Sequence, residues 1–183
     1  LKCGIHGPLD KKASEKIICS RKKFNELHNN CAGKHLAMLT SCLINNQSIN
    51  NYLDYSHTHQ KNIRKVFNKF TGTKLSKKNF SFDGCSAPQY SFKIKSISKA
   101  LNNLIKSYKG CYDYSKEVKT LINSVLENPE FIGGTASFDT KVMKASKGKI
   151  FCKSGAEGVF LFIDIQKEIS GVVKITDGNE RAI

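Results

Sequence analysis

Lys149-Ile150-Phe151-Cys152-Lys153, Gly158-Val159-Phe160-Leu161-Phe162-Ile163-Asp164-Ile165-Gln166 and Ser170-Gly171-Val172-Val173-Lys174-Ile175 are three runs rich in β-branched and aromatic residues, parted by short polar and glycine-containing segments. Runs of that length and composition read as strands joined by tight turns. They place an antiparallel sheet at the end of the chain.

Working back toward the N-terminus, the periodicity changes from two to about 3.6. Phe138 to Ala145 predicts a short helix, and Gly133-Gly134-Thr135 before it a turn. Val118, Leu121, Ile122 and Val125 share a helical face that stops before Pro129. Ile97, Leu101, Leu104 and Ile105 mark another helix, and Ile63, Val66, Phe67 and Phe70 a third, ended by Gly72. Asn29 or Asn30 is the expected N-cap of a helix reaching about Leu43. Residues 48–56 read as loop, residues 9–25 as a lysine-rich helix, and residues 80–83 as a short strand running into an Asp-Gly turn. Helices first and an antiparallel sheet last is the α+β order. With 183 residues, no internal repeat and no visible linker, residues 1–183 are expected to form one domain.

No stretch of about 18 apolar residues is present, so no membrane-spanning helix is expected. The N-terminal residues have no apolar run of the signal-peptide kind, and without an initiator Met a segment upstream of Leu1 is expected. Seven cysteines, an odd number, fit reduced thiols in a cytoplasmic compartment better than a disulfide framework. Cys19, Cys42 and Cys111 read as small buried apolar residues. The net charge of +15 would attract polyanions. However, the excess is carried by scattered Lys rather than Arg, and direct base readout leans on Arg. A nucleic-acid-binding protein therefore ranks last among the functions considered.

Three strings carry groups capable of chemistry. His28-Asn29-Asn30-Cys31-Ala32-Gly33-Lys34-His35 puts Cys31 and Lys34 three residues apart, on one face of a helix. Asp83-Gly84-Cys85-Ser86-Ala87-Pro88 adds a second thiol, with Asp83 on the same side of an extended segment. Two thiolates are natural zinc ligands, and a lysine amine ligates once it is neutral. Spacing alone leaves the alternative of two buried thiols and a surface lysine, because C-x-x-K is no zinc signature. His35 could orient a carboxylate or relay a proton, or be a structural histidine. Asp83 could support Lys34, or cap its turn. The third string is Cys152-Lys153-Ser154-Gly155-Ala156-Glu157-Gly158. A Lys-[Ser/Thr]-Gly triplet on a strand edge occurs in β-lactamase-type hydrolases, where the lysine helps to move the proton of a nucleophilic serine. Glu157 reads as a supporting acid or a turn residue.

Cys3-Gly4-Ile5-His6-Gly7-Pro8, the 29–35 and 83–88 strings, Gly133-Gly134-Thr135, Phe138-Asp139-Thr140, residues 153–159, Lys174-Ile175-Thr176-Asp177-Gly178 and Arg181-Ala182 stand in this order. In that order they resemble the asparaginase II family, the rhizobial-type L-asparaginases, over essentially the whole chain. The resemblance implies a serine β-lactamase/glutaminase-like fold and hydrolysis of L-asparagine to L-aspartate and ammonia by Ser-Lys nucleophilic catalysis. It implies one zinc ion on Cys31, Lys34 and Cys85, Lys153 as the catalytic lysine, and His35 and Asp83 lining the metal site. A homodimer stays open. The departures are specific. The family's Ser-x-x-Lys string precedes its C-G-x-H motif, whereas Ser20-Arg21-Lys22-Lys23 follows Cys3-Gly4-Ile5-His6. Ala136-Ser137 replaces a glycine-arginine pair, which removes a bidentate fork. The chain is therefore expected to be a central-to-late portion of the family domain, inactive by itself, with a degenerate fragment that keeps the fold and the zinc site as the alternative.

Overall fold

The computed structural model describes residues 1–179, so Arg181 and Ala182 of the last string lie outside the described residues. The chain is mixed α+β, with helices mostly first and a three-stranded antiparallel sheet at the end, as expected from its pattern. It forms two compact units, one of residues 1–69 and 73–92, the other of residues 70–72 and 93 onward.

In the first unit, α1 (Lys11–Cys19) starts where the Asp10 side chain accepts the Ala13 N–H at 2.8 Å. It is shorter than the helix expected over 9–25. No α1 residue is buried, and Arg21 at φ 54° turns the chain out of the helix. Cys19 on this helix is exposed, as is Cys111, so only Cys42 of the three thiols read as buried is so.

Helix α2 (Ala32–Ile44) buries Ala32, His35, Met38 and Cys42, a stripe at helical spacing. Leu36 and Leu43 are exposed. The α2 stripe meets Cys3, Tyr52, Leu53, Cys85 and Ala87 in one core. Helix α3 (Thr58–Thr71) contributes the buried Gln60, whose Nε2 donates to the Tyr52 carbonyl at 2.8 Å. Gly72, at φ 68°, follows its end. The short strand expected at 80–83 is β1 (Phe80–Phe82), and it pairs with a second strand, β2 (Pro88–Tyr90), that the sequence did not signal.

In the second unit, α4 (Ile94–Tyr108) and α5 (Ser115–Glu127) present Leu101, Ile105, Val118 and Ile122 to Ile163 and Ile165. The one-turn helix α6 (Glu130–Gly133) and α7 (Phe138–Ala145) follow. The sheet runs β3 (Ile150–Gly155), β4 (Val159–Asp164), β5 (Ile169–Lys174), with β4 central. Cys152 pairs with Phe162, and Phe162 with Gly171. A Cβ at Gly171 would stand 2.2 Å from the Phe162 ring, so glycine there makes room for the aromatic. Val125, Met143, Cys152 and Phe160 form a second buried cluster, which fastens α7 to the sheet.

Ile163, on the middle strand, is fully buried. Ile163→Ala is expected to cost about 2–5 kcal/mol of stability, as truncation of a buried isoleucine does. The check is a lower midpoint of chemical denaturation with an unchanged slope.

Candidate functional site

Five of the six residues singled out in the sequence fall in the first unit, and the structure brings them together. Asn29, buried, fixes the entry to α2. Its Oδ1 accepts the Cys31 N–H at 2.8 Å, and its Nδ2 donates to the carbonyls of Cys3 at 2.8 Å and Gly4 at 3.1 Å. Cys31, not Asn29 or Asn30, is therefore the N-cap residue, and its thiol caps nothing. The second thiol sits in the turn between β1 and β2. That segment is not extended: Asp83 N–H donates to the Ala87 carbonyl at 2.8 Å, Ser86 N–H donates to the Asp83 carbonyl at 2.9 Å, and Ser86 has φ 64°.

The turn delivers Cys85 to Cys31. The Cys85 thiol donates to Asp83 Oδ2 at 3.8 Å, and Cys31, Lys34 and Cys85 lie close enough together to perturb one another's protonation. Asp83 does both things foreseen for it. Its Oδ1 accepts the Gly84 N–H at 2.7 Å, and its Oδ2 takes the Lys34 amine at 3.3 Å. Burial, and then the neighbouring Cys85 thiol, pushes the Cys31 thiol up, against the pull of the Lys34 charge. Burial pushes Lys34 down, but the two sulfurs and Asp83 outweigh it and leave the amine above its ordinary value.

His35 is fully buried and structural in its contacts. Tyr52 Oη accepts the Lys2 N–H at 3.2 Å and shares a 2.7 Å hydrogen bond with His35 Nδ1. Burial and then the charge of Lys34 hold the imidazole below its ordinary value, so it is neutral.

A cavity of about 410 Å³ opens on this cluster, lined by Cys31, Asp83 and Cys85 on one side and by Cys3, His6 and Asn30 on the other. His6 and Asn30, joined by a 3.1 Å hydrogen bond, carry no spacing signal that would have marked them. Among the described residues no group of three or more His, Cys, Asp or Glu is arranged to hold a metal. The cluster has two thiols, and its third donor is an amine. That donor set, two soft sulfurs and one nitrogen, fits zinc once the protons have left.

Lys153 belongs to the second unit. It lies within β3 rather than at its end, and its partners were not foreseen. Asp139, the second residue of α7, is 2% exposed. Its Oδ2 takes the Lys153 amine at 3.3 Å and the Ser154 N–H at 2.9 Å, while its Oδ1 accepts the Ser154 hydroxyl. The Lys153 amine also donates to the Ser154 carbonyl. Burial pushes the Asp139 carboxyl up. The two Ser154 donors and the Lys153 charge more than offset this and hold it below its ordinary value. Beside it, burial drives the Cys152 thiol to about 11, so that sulfur is inert. Glu157, at φ 61° in the turn between β3 and β4, is a turn residue whose carbonyl accepts Lys174 Nζ at 2.7 Å.

The family model described as L-asparaginase II matches residues 1–183, the whole chain. The chain belongs to the L-asparaginase II family, whose members are asparaginase-type amidohydrolases acting on a small-molecule substrate. A comparison with curated proteins returned no match. Among the described residues no helix is long and apolar enough to cross a membrane.

Because the Asp139 carboxyl is held below its unfolded value of about 3.9, its contribution to stability is present above that pH. It is lost as pH falls through the folded value. Asp139→Asn is expected to flatten this acid limb, checked by denaturant midpoints from pH 6 down to pH 3.

Proposed function

We propose that the chain is an L-asparaginase, converting L-asparagine and water to L-aspartate and ammonia, with Lys153 as its catalytic amine and one zinc ion on Cys31, Lys34 and Cys85. The observation that carries the reading is the family match over residues 1–183. The convergence of Cys31, Lys34 and Cys85 and the anchoring of Lys153 on Asp139 support it.

Amide hydrolysis by a serine nucleophile needs three services. The hydroxyl must lose its proton, the tetrahedral oxyanion must be stabilised, and the departing nitrogen must gain a proton. Lys153, held against a buried carboxylate, suits the last two. Its positive charge stabilises the oxyanion, and its N–H is a proton source for leaving ammonia. Asp83 holds Lys34 beside the thiols, and Asn29 fixes the backbone from which Cys31 projects. Zinc bound by the cluster would supply a fixed positive charge for a substrate carboxylate or carbonyl. The free thiols among the described residues suit a reducing, cytoplasmic setting.

One observation favours a second reading, in which residues 1–183 keep the fold and the zinc cluster but do not turn over substrate. Ala136-Ser137 stands where the family has a glycine-arginine pair, which removes a bidentate fork for a carboxylate.

Ammonia release from L-asparagine by the purified chain decides between the two. Release above blank, lowered at least about 100-fold in Lys153→Ala, is expected of an acid–base lysine. No release favours the second reading, and release unaffected by Lys153→Ala removes that residue from the mechanism. Zinc is a separate matter. The wild-type chain should carry one equivalent by elemental analysis after dialysis, and Cys31→Ala and Cys85→Ala close to none. Equal zinc in all three would sink the assignment.

A further inference from the structure

Asp139 has no part in the motif logic that led to Lys153, yet the second unit is built around its carboxylate. Three independent contacts bring it there. Ser137, the N-cap of α7, accepts the Thr140 N–H at 3.2 Å and starts the helix one residue before Phe138. Thr140 Oγ1 then donates to the Gly134 carbonyl at 2.6 Å, which ties α7 to the end of α6. Gly133 lets the two elements close. A Cβ there would lie 2.5 Å from Ser137 Oγ, 2.8 Å from Thr140 Oγ1 and 3.0 Å from Asp139 Cβ. On the other side the Cys152 thiol donates to the Asp139 carbonyl at 3.6 Å.

We infer that Asp139 is a positioning residue for Lys153: its buried carboxylate fixes the amine in place on the edge of β3 and leaves one of its N–H donors free for substrate. The inference rests on the reading of Lys153 as the catalytic amine. An ammonium has three N–H donors. One goes to Asp139 Oδ2 and one to the Ser154 carbonyl. Among the described residues no third acceptor is present, and the lysine side chain is 45% exposed against 3% for the aspartate. One end of the pair is thus sealed and the other is open. This is the arrangement expected of a fixed cationic donor presented to an anionic or developing-anionic oxygen.

The other groups packed here do not compete. Glu130 of α6 is taken by Lys144 of α7 at 3.3 Å. Cys152 of β3 stays a neutral thiol. From β4 and α5 the residues in this cluster are apolar: Phe160, Phe162, Val125 and Leu126.

The test measures Lys153 itself, so it needs no turnover. The full chain is labelled with an amine-acylating reagent at pH 8, and modification at each lysine is followed by peptide mass spectrometry. In the wild type, Lys153 should acylate at least threefold more slowly than exposed Lys141 on the same unit. Asp139→Asn should raise the Lys153 rate at least threefold and leave Lys141 unchanged. Asp139→Glu should restore part of the protection, because it keeps the charge, and Ser154→Ala should leave it intact. If Asp139→Asn does not fold, the comparison of Lys153 with Lys141 and the Ser154→Ala arm still decide. Equal rates at Lys153 and Lys141 in the wild type overturn the inference, as does loss of protection in Ser154→Ala. The ammonia assay bears on the other question: ammonia release that survives Lys153→Ala defeats the catalytic reading of Lys153 while the labelling result stands.

Discussion

An ionised carboxylate at 2% exposure is a constraint that the second unit must meet. Removed from water and left unpaired, such a charge costs several kcal/mol. Asp139 is instead given a backbone N–H, a hydroxyl and an ammonium, all from two consecutive residues of β3. Those partners exist only if α7 docks on β3 at one register. The apolar cluster of Val125, Met143, Cys152 and Phe160 supplies the attraction between α7 and the sheet, and it would tolerate sliding. The carboxylate does not tolerate it. Hydrophobic burial holds these elements together and the polar network specifies where they stop.

The first unit meets the same problem with a neutral group. Asn29 is buried, and three of its hydrogen-bonding positions are filled by the main chain of Cys3, Gly4 and Cys31. Through one side chain the N-terminal strand-like segment, the cavity wall and the first turn of α2 share a common reference. Cys31 inherits its position from that amide, and Cys85 inherits its own from the Asp83–Ala87 turn. The two thiols thus come from separate, locally determined turns.

The elements that could be read from the sequence were those whose own residues decide them. Phe138–Ala145 was placed at its observed limits, between the Gly133-Gly134-Thr135 turn and the strand run that opens at Lys149. The three C-terminal strands were found as well, each within two residues of its observed ends. Helix α1 was drawn too long because lysine-rich sequence has good helix propensity but, without a buried face, nothing carries the helix past Cys19. Strand β2 was missed because Pro88-Gln89-Tyr90 reads as strand only through its pairing with Phe80–Phe82. In the site, the motif residues were legible as strings. Asp139 and Asn29 were not legible as partners, because a lone buried Asp or Asn acquires its role from residues 14 to 26 positions away.

The two lysines of interest show how burial of the partner, rather than residue type, sets the task. Lys34 pairs with Asp83, whose side chain is 45% exposed, and Lys153 pairs with Asp139, at 3%. A pair in solvent is worth little, about 0–1 kcal/mol, and is easily exchanged for another partner. A pair with one end sealed from water cannot be exchanged so cheaply, because the abandoned carboxylate would stay buried without its counter-ion. The Lys34 contact is therefore replaceable and the Lys153 contact is not, and the difference is carried by the solvent exposure of Asp83 and Asp139.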